Sequence, residues 1–329
     1  MKPMQAFLRG ALGAAIACGV PAAPAAQSPA DDYPNKPIRV LVTFSAGSQT
    51  DMLSRMVGQK LGDKWGVQVV IDNRPSGGGT IATQMAATAL PDGYTLLAHS
   101  SGYAINPWLY TDFKVDILRD MQAVTTLAST PQVVVVSPTL GPKTLRELIA
   151  FAKQRGSEFI VAVPGIASSS HLVSEKLYYE AGIKPTNVWY KGTPECMTDT
   201  MTMRTQMSFL PLAPLIPFIR DGRLLGLAVS SKERSPVLPD VPSANEAGLP
   251  GFDYTSWFLF ATTAATPKPI VNKLSAEVRA ILGDAAIRER LATIGATPMP
   301  MTPEQAQAFV RAEKEALGKI VRTAGVKIE

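Results

Sequence analysis

Short β-branched runs alternate with segments of helical periodicity along most of this chain, and several runs pass into their helices through loops of small residues. "IRVLVTF" (Ile38 to Phe44) has the length and the Val/Ile content of a buried strand. "SAGSQTD" follows, then a segment with apolar residues at Met52, Leu53, Met56, Val57 and Leu61, the spacing of one helix face. "VQVVIDN" repeats the strand, "GGTIATQMAATALPDG" reads as a helix ended by Pro91 and Gly93, and "YTLLAHS" is the next strand. A β-α-β-α-β order needs crossover connections, so it predicts a parallel sheet with helices on both faces.

A second unit begins near residue 131. "PQVVVVSP" and "EFIVAVPG" read as strands, separated by a helix with Thr144 and Glu147 as a capping box and Gly156 at its end. "SSSHLVSEKLYYEAG" is a helix closed by Gly182, and "NVWYKG", "QMSFLPL" and "RLLGLAVSS" read as strands. A Pro- and Gly-rich stretch, "SPVLPDVPSANEAGLPG", precedes the strand "YTSWFLFATTAATP". Two helices finish the chain, from about Lys268 and about Pro303, the latter with Thr302 as N-cap and Gln305 as its partner. Helices after Trp257 have no large sheet of their own to cover. The simplest arrangement returns them to the first unit, giving one domain of residues 33–130 plus 257–329 and another of residues 131–256. A chain that is 46% hydrophobic and 18% charged builds such cores easily. Its net charge of +5 is scattered without like-charge blocks, so nucleic acid is not an expected partner.

Residues 1–26 have the three-part pattern of a secretory signal: Lys2 and Arg9 without an acid, the short apolar "ALGAAIACGV", and Ala23-Pro24-Ala25 as a cleavage site. The apolar run is too short to span a membrane. Cys18 in "AIAC" faintly resembles a lipid-attachment motif, the weaker of the two readings because Ala stands three residues before it. Removal of Cys18 leaves Cys196 alone and rules out an intramolecular disulfide. Cys196 has no nearby His in sequence and reads as an unreactive thiol.

Two loops carry the candidate chemistry. In Phe44 to Asp51, Ser48-Gln49-Thr50-Asp51 fits a capping box, with Ser48 accepting from the Asp51 N–H and Asp51 reaching back to the Ser48 N–H. Ser45 and Ala46 keep the loop small, and Gly47 lets backbone approach a ligand. A helix start beyond a parallel strand presents unpaired N–H groups and partial positive charge, the makings of an anion site. "VAVPGIASSSHL" repeats the design: Gly165 and Ala167 precede Ser168, Ser169 and Ser170, and His171 sits in the first helical turn. From the residues alone, a ligand clamp and two well-capped turns both remain open. "RPSGGGT" is neither a P-loop nor a dinucleotide fingerprint and reads as a turn before a helix. Ser100 and Ser101 follow a strand with Asn106 nearby, but no G-x-S-x-G elbow supports a hydrolase. His99 and His171 are the only histidines and lack metal-site spacing, so no metal and no cofactor is expected. Tyr190, Lys191 and Gly192 close a strand, with Lys191 either facing an anion or solvated.

The segments "DNRPSGGG", "PDGYTLL", "VPGIASSSHL", "YKGTPE" and "LPDVPSANEAGLPG" resemble the Bug, or tripartite tricarboxylate transporter, substrate-binding proteins, a likeness spanning nearly all of residues 33 to 329. The resemblance implies an α/β Venus-flytrap protein of the type II-like kind, with a mainly parallel sheet in each domain and an interdomain cleft. It implies no catalysis: a monomeric periplasmic protein captures a small carboxylate and presents it to membrane transporter subunits. A ligand sensor serving a membrane receptor kinase is the alternative, and an exported α/β enzyme a remoter one. By resemblance, Phe44 to Asp51 and Pro164 to His171 grip one carboxylate through N–H groups and hydroxyls, and Ser100, Asn106 and Tyr190 to Gly192 line the same cleft. This chain departs from the family's Pro-Gly-Gly-x-x-Asp loop by replacing Pro and one Gly with Ser45, Ala46 and Ser48, which adds hydroxyls, and Gln49 is placed to enter the cleft. Leu210, Leu212 and Ala213 replace the polar residue that relatives carry there, which predicts an apolar body behind the ligand's carboxylate.

Overall fold

The computed structural model describes residues 30–110 and 113–324, with side chains as far as residue 318. The expected signal segment, residues 1–26 with Cys18, lies outside the described residues. The first half runs β1 (Ile38–Val42), α1 (Gln49–Trp65), β2 (Val69–Asn73), α2 (Thr80–Ala87), β3 (Thr95–Ser100), α3 (Asn106–Leu109) and β4 (Met121–Val136). Next come α4 (Leu145–Arg155), β5 (Ile160–Val163), α5 (Ser169–Ala181), β6 (Thr186–Trp189), α6 (Thr193–Met201), β7 (Met207–Pro211), α7 (Leu212–Arg220) and β8 (Leu225–Val229). The chain ends with β9 (Thr255–Thr263), α8 (Lys268–Gly283), α9 (Ala285–Thr293), β10 (Thr297–Pro298) and α10 (Pro303–Ala324).

The strands lie in the order β2-β1-β3-β9-β4-β7-β5-β6, with β8 and β10 also paired to β4. The outer strands are parallel, β1 with β2 and β3, and β5 with β6 and β7. The middle is antiparallel, because β9 and β4 run against their neighbours. The sheet is therefore mixed, with parallel stretches at its two ends. Strand β4 serves both sides: Met121 to Pro131 pair with β9, and Gln132 to Val136 pair with β7 and β8. The sequence reading began a strand at Pro131 and missed the ten residues before it. Their run of Thr, Ala and Ser lacks the dense Val/Ile signal, and burial on both faces replaces alternation.

Apolar residues separate along the same line. Val40, Leu53, Val57, Phe260, Leu274 and Val278 share one core cluster, whereas Val134, Leu148, Phe159, Val173, Phe209 and Phe252 share another. A third cluster joins Leu97, Tyr103 and Leu259 to Ala167 and Leu172, so the two sides meet through apolar contact. Among the described residues the C-terminal region holds three helices, not two. Asp284, extended at φ −61° and ψ 135°, accepts from the N–H groups of Ala286 and Ile287 and starts α9 anew.

Candidate functional site

Loops from both sides of the molecule converge on one small cavity. Phe44, Ser48, Gln49 and Thr50 come from the β1–α1 loop and Ser100 from the end of β3. Pro164, Ser168, Ser169 and Ser170 come from the β5–α5 loop. Thr193 begins α6, Pro211 precedes α7, and Phe258 comes from β9. The cavity measures about 20 Å³, room for about one water molecule. A roomier depression of about 660 Å³ lies beside Arg220 and Leu238, but no buried side-chain polar atom without a partner lines it.

Local sequence explains the convergence. Ser48 caps α1 by accepting from the Asp51 N–H at 3.3 Å, and Ser168 caps α5 by accepting from the His171 N–H at 3.1 Å. Each cap uses one of the orphan donors of a first helical turn. The N–H groups of Gln49, Thr50, Ser169 and Ser170 have no acceptor within their own helices and belong to the residues lining the cavity. Helices α6 and α7 also begin there, so four partial positive charges meet at one point. No lysine or arginine lines the cavity among the described residues. Recognition of negative charge would therefore rest on helix ends and hydroxyls.

Glycines bring the jaws together. A Cβ on Gly102 would stand 2.1 Å from the Ala167 carbonyl oxygen, and one on Gly192 would stand 2.4 Å from the Ser45 Oγ. Ala167 itself has φ 59°, a left-handed conformation held by its N–H donating to His171 Nδ1 at 3.1 Å. Ser45 donates to Glu195 Oε1 at 2.9 Å, joining the β1–α1 loop to α6, and its N–H reaches the Lys191 carbonyl at 3.4 Å. Exposed Ala46 and Gly47, and buried Gly165, shape the two loops by backbone alone.

Phe44, Ser48, Gln49, Ser100, Ser168, Ser169 and Ser170 thus line the cavity, while other expected site residues stand behind it. Asp51 does not reach the Ser48 N–H; it accepts from the Gly47 N–H at 2.9 Å, from Asn73 at 3.0 Å and from Arg55 at 3.0 Å. Burial opposes its ionisation, but those bonds outweigh it and hold the carboxyl below its ordinary range. Asn106 donates to the Gly78 carbonyl at 2.5 Å, and Ser101 Oγ contacts the Tyr254 hydroxyl at 3.2 Å. His171 braces Ala167 and lies 3.4 Å from Glu175. Tyr190 donates to Asp199 at 2.6 Å and does not line the cavity, and Lys191 is exposed. Leu210, Leu212 and buried Ala213 do not form the apolar wall; Leu210 and Leu212 pack in a core cluster with Val133 and Cys196. Phe44, Pro164, Pro211 and Phe258 form that wall instead. Ser170 donates to the buried Gln132, which in turn donates to Ser256, tying α5 to the crossing of β4 and β9.

Thr50 and Pro164 fall within the two loops expected to grip the ligand, whereas sequence reading missed Thr193, Pro211 and Phe258. Thr193-Pro194 was a readable helix start, with proline in the first turn. Pro211 and Phe258 arrive only through strand pairing. The Gly77–Gly79 stretch is the expected turn before a helix, leading into α2, and it is also tightly wedged: a Cβ on Gly79 would meet Thr43 and His99 below 3 Å.

The family model for the tripartite tricarboxylate transporter family receptor matches residues 53–326. Protein BugT of Bordetella pertussis is 32% identical over 324 residues, covering 98% of this chain and 98% of that protein. The structure of an R. palustris protein, Rpa4515, with adipate superposes with a TM-score of 0.87 at 32% identity, covering 90% of this chain and 99% of that one. The periplasmic binding protein BugD gives a TM-score of 0.86 at 29% identity, covering 90% and 100% of the two chains.

Proposed function

Since the chain belongs to the tripartite tricarboxylate transporter receptor family, we propose that it is a periplasmic receptor that captures one small organic carboxylate and hands it to a membrane transporter. The observation that carries this reading is the meeting of four helix N-termini on a cavity lined by serine and threonine, without lysine or arginine. Such a site neutralises a carboxylate by hydrogen bonds and dipoles and releases it readily once the jaws part. Residues 33–130 plus 257–329 form one lobe in this reading, and residues 131–256 the other. The lobes hinge about Pro131–Gln132 of β4 and the entry to β9. The cavity in the present state is too small for an organic acid, so binding requires the lobes to open and close again around it. The relative solved with adipate supports a carboxylate ligand. Export by cleavage of residues 1–26 supplies the compartment, and a monomer without catalysis suffices.

A thermal-shift screen of mono-, di- and tricarboxylates tests the proposal. At least one acid raises the melting temperature, because it binds only the folded state. Gly102→Ala puts a methyl against the Ala167 carbonyl and stops the jaws meeting, so its affinity for that acid falls at least about tenfold, about 1.4 kcal/mol. Its ligand-free melting temperature falls only modestly, since an open form avoids the clash and gives up part of the apolar contact between the two sides. No shift with any carboxylate overturns the reading.

A further inference from the structure

Gln49 is 1% exposed, and neither its amide nitrogen nor its amide oxygen has a hydrogen-bond partner among the described residues. Flipping the amide does not help, because both ends are unpaired. Ser100 Oγ, 2% exposed at the residue level, is likewise unpartnered, and both side chains line the cavity. Buried polar atoms are nearly always paired, so a cluster of unpaired ones marks the place where a ligand completes the set. A carboxylate is acceptor-only. Its two oxygens offer about four acceptor sites, which the N–H groups of Gln49, Thr50, Ser169 and Ser170, the Ser100 hydroxyl and the Gln49 amide nitrogen are more than enough to fill. It has nothing to offer the Gln49 amide oxygen.

We infer that Gln49 reads a neutral hydrogen-bond donor on the ligand, so that the site takes a carboxylate bearing a hydroxyl or amide group rather than a plain acid. An ammonium is the wrong donor here. Among the described residues no carboxylate side chain lines the cavity; Glu195, whose Oε1 accepts from Ser45 and whose buried Oε2 is unpartnered, stands outside that lining. Phe44, Pro164, Pro211 and Phe258 supply an apolar wall beside these polar groups, which suits a compact carbon body. This inference rests on the carboxylate-receptor reading and adds the second group of the ligand.

Calorimetric titration with matched acids tests it: butanoate against 2- and 3-hydroxybutanoate, and succinate against malate and succinamate. The unmodified protein binds a hydroxyl- or amide-bearing member at least about tenfold tighter than its parent acid, because the parent leaves a buried acceptor unpaired. Which of the two substituents gives the gain separates a hydroxyl from an amide ligand. Gln49→Met keeps length and removes both polar atoms; in it the preference shrinks to about twofold or less, while the ligand-free melting temperature does not fall. Gln49→Leu serves the same purpose with a different shape. Equal affinity for parent and substituted acids in the unmodified protein, or a preference that survives in both variants, overturns the inference and leaves the carboxylate receptor standing. Absence of binding by every acid overturns both.

Discussion

His99 sits directly behind the cavity wall with both ring nitrogens facing carbonyl oxygens, Nδ1 to Ser100 and Nε2 to Gly78, each at 3.0 Å. A neutral imidazole can donate to only one of them. Complete burial nevertheless dominates and lowers the pKa to about 4, against the pull of the two carbonyls. The sign follows by linkage. Between an unfolded pKa near 6.5 and the folded value, the unfolded chain binds a proton that the folded chain refuses, so stability falls as pH falls through that window. From pH 7 to pH 5 the loss amounts to roughly 2 kcal/mol. Asp51 and Asp72 have carboxyls held below their ordinary range, so their contributions are lost only at lower pH. Urea unfolding at pH 7 and pH 5 separates these effects: the unmodified protein loses about 2 kcal/mol more over that interval than His99→Gln. Parallel losses in the two proteins would show that His99 is protonated without cost.

At the scale of the element, caps fix both the helix and the site. Ser168 holds α5 through the His171 N–H, and Thr144 holds α4 through the Glu147 N–H at 3.1 Å, far from the cavity. Ser168→Ala and Thr144→Ala each remove one cap and cost about 1 kcal/mol of stability in chemical denaturation. Only Ser168→Ala weakens the thermal shift given by a bound carboxylate, since only it loosens a jaw; equal weakening by both would assign the effect to general destabilisation. These caps are legible because a serine or threonine followed by a helical pattern is a local signal. For the same reason the two small-residue loops stand out in the amino-acid sequence alone. Tertiary pairing supplies what the local signal lacks. Asp51 and Asn106 have the chemistry of ligand contacts, yet Asn73, Arg55 and Gly78 claim them. Pro211 and Phe258 carry no motif, and pairing of β7 with β5 and of β9 with β3 delivers them to the cavity. The break between α8 and α9 escapes a reading by periodicity because helix-compatible residues continue on both sides of Asp284.

Across the whole molecule, the feature that governs behaviour is the sharing of β4. Its sixteen residues, Met121–Val136, give eleven positions to one side of the sheet and five to the other without an intervening loop. Gln132, buried at the changeover, donates from its backbone to Ser230 Oγ at 2.8 Å and from its side chain to Ser256 at 2.6 Å. Ser230 donates in turn to the Tyr254 carbonyl at 2.6 Å. Unfolding either side alone would strip the partner strands from half of β4 and leave these buried groups unpaired. It would also expose the apolar cluster in which Leu172 packs with Leu97 and Leu259. Each of these costs is of order 1–3 kcal/mol or more, and together they are comparable with the whole margin of stability of a domain. Differential scanning calorimetry should therefore show one transition, with calorimetric and van't Hoff enthalpies that agree. Gln132→Leu leaves the Ser170 and Ser256 hydroxyls without their partner and lowers the midpoint. If the shared strand carries the coupling, the variant's transition also broadens or begins to split, whereas two resolved transitions in the unmodified protein would mean that the halves fold independently despite the strand they share.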